Sequence, residues 1–158
     1  MANWNIDQPA PKALWQIIHS RFPDRTRFLG ISMPPGHEDH SEGRALDVGI
    51  RAWIPTEKTL ADKIVDTLSD FSFEVMWSYV IWNKQITFSD ERGGPNPYPR
   101  AGKMPHTEHI HISWSRASSG FSSFPGFANA LDGILREEAG GVEDEGTQSS
   151  YTQPYSSP

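Results

Sequence analysis

The spacing of apolar positions changes several times along the chain, and each change marks an element. Leu14, Trp15, Ile17, Ile18 and Phe22 recur at three-to-four spacing behind a proline pair, which predicts a helix over residues 9–22. Phe28 to Met33 is a short strand-like run, stopped by Pro34-Pro35-Gly36. Residues 36–44 are polar and predict a loop. Ala45 to Ile50 predicts a strand, and Pro55 ends the segment after it. Leu60, Ile64, Val65 and Leu68 form the buried stripe of a helix that Thr56 or Thr59 can cap. Phe73 to Phe88 is rich in aromatic and β-branched residues and predicts one long strand or a hairpin. Residues 89–105 predict a loop, because Gly93-Gly94-Pro95-Asn96-Pro97 does not suit the inside of an element. Glu108 to Trp114 predicts a strand, and Phe124 to Leu135 a short helix with Phe127, Leu131, Ile134 and Leu135 inward. The order is helix, strand, strand, helix, strand, strand, helix, with no internal repeat. It predicts an α+β fold: a small, mainly antiparallel sheet with flanking helices.

Composition divides this picture at one point. From about Gly140 the chain turns to Gly, Ser, Thr, Gln, Pro and acids, too little apolar surface to offset chain entropy. Two segments are therefore expected, a domain over residues 1–137 and an acidic, polar tail over 138–158. Most of the net charge of −6 comes from five acids, with no base, after Arg136, and four of them lie in that tail. The remainder is nearly neutral, so no basic face points to nucleic acid. There are no cysteines, which excludes disulfides, thiolate metal ligands and thiol catalysis. No apolar run is long enough to span a bilayer. The first residues, MANWNIDQPAPK, lack the basic-then-apolar pattern of a secretory signal, so delivery outside the cytoplasm is expected to use another route.

Two fragments carry chemistry: His40-Ser-Glu-Gly-Arg-Ala-Leu-Asp47 and His106-Thr-Glu-His-Ile-His111. Four histidines and an aspartate at these spacings suit a zinc site that keeps a coordination position open. Side chains on a strand alternate faces, so His109 and His111 share one face while Ile110 and Ile112 enter the core. The same rule sends Leu46, Val48 and Ile50 inward and turns Asp47 out with Ala45 and Gly49, whose small size leaves room beside the carboxylate. Gly43 helps the preceding loop fold back so that His40 approaches Asp47. Other readings stand beside this one. Arg44 can pair with Asp47 and explain it without a metal, but that leaves the histidines unexplained. A His-x-His pair can line a solvent face, and His19 and His37 are expected at structural or surface positions.

The combination His-x6-Asp followed by His-x2-His-x-His resembles the LAS metallopeptidases. That group includes penicillin-insensitive murein endopeptidases, D-Ala-D-Ala carboxypeptidases and dipeptidases, phage L-alanyl-D-glutamate endolysins and the zinc domain of hedgehog proteins. Residues 43–47, the Tyr79-Val-Ile-Trp82 segment and His109-Ile-His111-Ile-Ser113 are most similar to a branch common in actinobacteria and their phages. The resemblance spans roughly residues 10–135. It implies the LAS fold, with zinc on His40, Asp47 and His111 and His109 as general base. It also implies that His106 is an accessory active-site histidine and that Arg44 lies near the substrate. Glu38 departs from the serine that many members carry two residues before the metal histidine.

The activity implied is zinc-dependent hydrolysis of peptide bonds in bacterial peptidoglycan. A zinc on two imidazoles and a carboxylate lowers the pKa of its water and polarises a carbonyl. His109 is then expected to move the proton, and His106 or Arg44 to stabilise the oxyanion. Arg92, Arg100 and Lys103 suit recognition of stem-peptide carboxylates, although solvated loop charges would look the same. The expected setting is the bacterial cell wall, reached as a phage endolysin, a wall-cutting tail component carried by a virion, or a secreted effector. The alternative is a peptidase-like binding or structural component of an assembly such as a phage tail, with little or no hydrolysis and a partner held through the C-terminal tail. A non-haem iron oxygenase uses two histidines and a carboxylate, but not this spacing with extra histidines. A two-histidine phosphoesterase needs a second His-x-Ser/Thr motif beside His111-Ile-Ser113.

Overall fold

The computed structural model describes residues 6–34, 38–98 and 105–140. The elements run α1 (Pro9–Arg21), β1 (Arg27–Gly30), α2 (Glu38–Ser41), β2 (Ala45–Gly49), α3 (Pro55–Asp70), α4 (Ser72–Val75), β3 (Trp77–Trp82), β4 (Gln85–Phe88), β5 (Asn96–Pro97), β6 (His109–Trp114) and α5 (Pro125–Gly140). The six strands form one sheet in the order β1-β2-β6-β3-β4-β5, and every neighbouring pair is antiparallel. The α+β expectation holds. β6, last in the chain, is inserted at the centre between β2 and β3.

Alternation along the central strands separates two faces. Leu46 and Val48 of β2, Ile110 and Ile112 of β6 and Val80 of β3 lie on one of them. They join a single core with Leu14 and Ile18 of α1, Leu60, Ile64 and Leu68 of α3, and Phe127, Leu131 and Ile134 of α5. The three long helices therefore cover this face. The other face carries Asp47, His109, His111, Ser113, Tyr79 and Ile81, because Asp47 pairs with His111, which in turn pairs with Ile81, while Ser113 pairs with Tyr79.

Several local expectations are corrected. Residues 36–44 are not all loop, since Glu38–Ser41 makes one helical turn. Pro55 ends the segment after β2 as expected and also opens α3, which neither Thr56 nor Thr59 caps. Pro55 stands at its first position, where a missing N–H costs nothing. Glu57 in the first turn receives the Arg51 backbone N–H (2.9 Å) and ion pairs from Arg51 and Arg27. Phe73–Phe88 is a helical turn followed by a hairpin. Its two-residue turn, Asn83-Lys84, has positive φ at both positions, the geometry that matches strand twist. Asn96–Pro97 does enter the sheet, as a two-residue edge strand. α5 continues past Leu135 to Gly140 and therefore crosses the expected 137/138 boundary. Glu138 is held there by both guanidinium nitrogens of Arg25 (2.8 and 2.9 Å). Residues 141–158, most of the expected tail, lie outside the described residues. Among the described residues no helix is long and apolar enough to cross a membrane.

Candidate metal centre

Register builds the site. β2 and β6 set Asp47 directly opposite His111 and Gly49 opposite His109, on the face away from the helices. Gly49 serves the neighbouring strand more than the site, because a Cβ there would meet Arg27 and Leu29 of β1. His40 arrives from α2. Gly43 closes the turn after it with φ +69°, its N–H bonded to the His40 carbonyl (2.9 Å). A side chain at Gly43 would run into the backbone of Ile6. His40 is 5 % exposed and Asp47, His109 and His111 7 % each, so four ionisable side chains share one buried spot. Isolated charges at that depth are expensive, and partners or a cation must offset them.

The hydrogen bonds fix which nitrogen faces which way. Nδ1 of His40 lies 2.7 Å from the Ile31 carbonyl, which only accepts, so Nδ1 carries the proton. Nε2 of His40 then faces Asp47 Oδ2 at 3.2 Å. Nε2 of His111 donates to Asp39 Oδ2 at 3.1 Å, and its Nδ1 faces Asp47 Oδ1 at 2.9 Å. Both imidazoles thus donate outward and turn their inner nitrogens on the two oxygens of one carboxylate. A lone pair facing a carboxylate oxygen needs a proton or a cation between them. His40, Asp47 and His111 each offer an atom within 4.8 Å of the others, so the group fits a metal ion. Without one, protons fill the gap. Burial opposes charge on His111, but hydrogen bonds to Asp39 and Asp47 outweigh it and raise its pKa to about 9. Burial likewise opposes the charge on Asp47, and His111 and His40 hold its pKa well below the usual carboxylate range.

His109 is placed differently. Its Nε2 lies 3.5 Å from Asp47 Oδ1, and its Nδ1 is the one buried side-chain polar atom without a hydrogen-bond partner among the described residues. Burial pushes its pKa down, against the pull of Asp47, so the ring is neutral near pH 7 and able to accept a proton. His106 is buried with positive φ (55°), and its ring meets those of His109 (4.7 Å), Tyr98 (5.5 Å) and His111 (5.8 Å). The hairpin turn holds this segment, with Asn83 N–H on the His106 carbonyl (2.7 Å) and Lys84 N–H on Pro105 (2.9 Å).

Arg44 does not pair with Asp47 in the described structure. It binds Glu42 (2.7 Å) and the Trp114 carbonyl (2.6 Å), so Asp47 is balanced by histidines. His19 is a structural residue, stacked on Trp15 (4.6 Å) and bonded to Thr26 (3.1 Å). Arg92 is paired with Asp90 (2.7 Å) and lies 3.7 Å over the Phe88 ring. His37, Arg100 and Lys103 lie outside the described residues. A cavity of about 420 Å³ lined by Ile86, Phe88, Arg92, Asn96, Pro97 and Tyr98 lies on the same side of the sheet as Asp47 and His111, since Ile86 and Phe88 pair with Ile81 and Tyr79.

Three residues of the site had no separate place in the sequence expectation: Asp39, Tyr79 and Ser113. Ser113 was accessible to the alternation rule, two positions beyond His111. Asp39 had only one signal, a second acid immediately before His40.

A family model described as VldE, C-terminal domain matches residues 7–111, well over half of the chain, and the matched stretch runs from α1 through the last of the site histidines. The comparison with curated proteins and the comparison with solved structures each return no match.

Proposed function

The chain belongs to the VldE C-terminal domain family, and from its buried centre we propose a zinc-dependent peptidase that hydrolyses peptide bonds of bacterial peptidoglycan. The observation that carries this reading is the arrangement of His40 and His111. Both outer nitrogens are committed to acceptors and both inner nitrogens face Asp47. The donor set of two imidazoles and one carboxylate suits zinc with a position left for water, and the LAS-like motif spacing supports the same assignment. A bound zinc supplies a water of lowered pKa and polarises a carbonyl.

The protein groups divide the remaining work. His109, outside the ligand set and neutral by burial, accepts the proton of the attacking water and returns one to the leaving amine. Of the two proposed for the developing oxyanion, His106 lies nearer the centre, its ring 4.7 Å from that of His109 and 5.8 Å from that of His111, whereas the Arg44 guanidinium binds Glu42 and the Trp114 carbonyl. The cavity beyond Tyr79 and Ile81 takes the substrate chain on one side of the scissile bond. Digestion of purified peptidoglycan by zinc-loaded and chelator-treated protein, with fragments read by mass spectrometry, tests the reading. New amino termini only in the zinc-loaded sample are expected. Zinc-loaded protein that releases nothing from any envelope type leaves the assembly role in its place.

A further inference from the structure

We propose that Asp39 is the positioning carboxylate of the metal centre: it holds the outer nitrogen of His111 and so aims the inner nitrogen at the metal. The inference rests on the reading that His40, Asp47 and His111 bind a metal, and it adds a residue that the ligand set does not contain.

Asp39 and His40 are neighbours in the single turn of α2. Oδ1 of Asp39 accepts the His40 backbone N–H at 2.9 Å, which ties the carboxylate to its own turn. Oδ2 receives three donors from the sheet: the Tyr79 hydroxyl at 2.6 Å, the Ser113 hydroxyl at 2.8 Å and His111 Nε2–H at 3.1 Å. The Asp39 side chain is 16 % exposed, so these partners stand in for water. The Tyr79 ring stacks on the His111 ring at 5.5 Å, and its hydroxyl reaches the same oxygen that His111 does. One side chain thus holds the outer nitrogen of His111 and sets the tilt and direction of its ring.

The arrangement also couples two ligands. His40 enters the metal group directly, and the residue before it grips His111 on β6. A shift of α2 therefore moves one ligand and releases the other. Imidazole ligands commonly donate their second N–H to a carboxylate, which raises ligand basicity, and loss of such a partner typically weakens metal affinity by about 10–100-fold. His40 shows the weaker form of the same device, a backbone carbonyl at Ile31.

The test is zinc affinity by chelator competition for wild type, Asp39→Asn and Glu38→Gln, together with the imidazole tautomer of His111 in zinc-loaded wild type by nitrogen-15 NMR. Glu38 lies in the same turn, carries the same charge and has a side chain 80 % exposed, so its variant controls for charge alone. The expected result is a loss of about 10–100-fold for Asp39→Asn, no change for Glu38→Gln, and a proton on Nε2 of His111 with the metal on Nδ1. Tyr79→Phe, which removes one donor but keeps the carboxylate, should lose less than Asp39→Asn. Wild-type zinc binding with an undiminished affinity in Asp39→Asn overturns this inference alone. A metal on Nε2 of His111 overturns it as well, even where Asp39→Asn does not fold. Wild type that takes up no zinc overturns the metal reading and this inference together.

Discussion

The two sides of strand β6 are equally deep and chemically opposite. Ile110, Ile112 and Trp114 face the helices, His109, His111 and Ser113 face the other way, and all six are buried. On the helix side, stability comes from contact. Its one polar atom on this strand, Trp114 Nε1, is satisfied by the Val75 carbonyl at 2.9 Å. On the other side, Nδ1 of His109 is the one buried side-chain polar atom without a hydrogen-bond partner among the described residues, on a ring whose Nε2 lies 3.5 Å from Asp47. An apolar face is governed by volume and tolerates similar shapes. A buried polar face is governed by which atom donates, so one exchanged group is enough to disable it.

That contrast can be broken on either side. On the polar side, His111→Ala or Asp47→Ala should abolish zinc uptake and, with it, all hydrolysis, while wild type should hold one zinc per chain by elemental analysis. Full zinc content in either variant contradicts the ligand assignment. On the apolar side, Trp114→Ala should cost about 3–5 kcal/mol in a urea melt, from lost burial and the cavity left behind. Ile112→Val should cost only about 0.5–1.5 kcal/mol and leave zinc affinity as it was. If Ile112→Val weakens zinc binding as much as a polar-face substitution does, the two faces do not act separately.

Charge away from the centre provides a milder comparison. Glu57 at the start of α3 is held to a pKa of about 2, against an ordinary 4.5, chiefly by hydrogen bonds from Arg51 and then Arg27, with burial opposing. A depressed carboxylate contributes stability above its unfolded pKa and loses it as the pH falls through the folded one. Glu57→Gln should therefore destabilise by about 1 kcal/mol at pH 7, the pairs being half exposed on the arginine side. The gap should close between pH 4.5 and about 2. A gap that widens toward acid pH contradicts the assignment. The smallest effect is expected from ending the chain after Gly140. The removed residues contain no histidine and little apolar surface, so zinc uptake should be unchanged. Loss of zinc on truncation would give that segment a part in the site.

The centre was legible in the sequence where one local rule applied. Strand alternation put His109, His111 and Asp47 on one face, and the positive φ of Gly43 lets the turn bring in His40. Asp39 was not legible, because its role depends on α2 docking beside β2 so that one residue reaches Tyr79 and Ser113 across the sheet. The α2 turn itself is four residues long, too short to leave a periodic signature. β5 was missed for a related reason: it is two residues paired at an edge, where proline is tolerated. Pro55 marks both the end of one segment and the start of α3, since a proline's missing N–H suits the first helical turn as well as a break. The length of α5 escaped because its last turn is held from outside, by Arg25 on Glu138.

The polar face is proposed both to hold a metal and to perform acid–base chemistry beside it. The most direct measurement is the rate of peptide-bond cleavage per bound zinc in wild type and His109→Ala. His109 is not in the ligand group, so the variant should keep one zinc per chain. Its turnover should fall by about two to four powers of ten, the usual contribution of a positioned acid–base group. An equal rate per zinc in the two proteins would contradict the role given to His109, and zinc-loaded wild type that cleaves no wall peptide would contradict the peptidase itself.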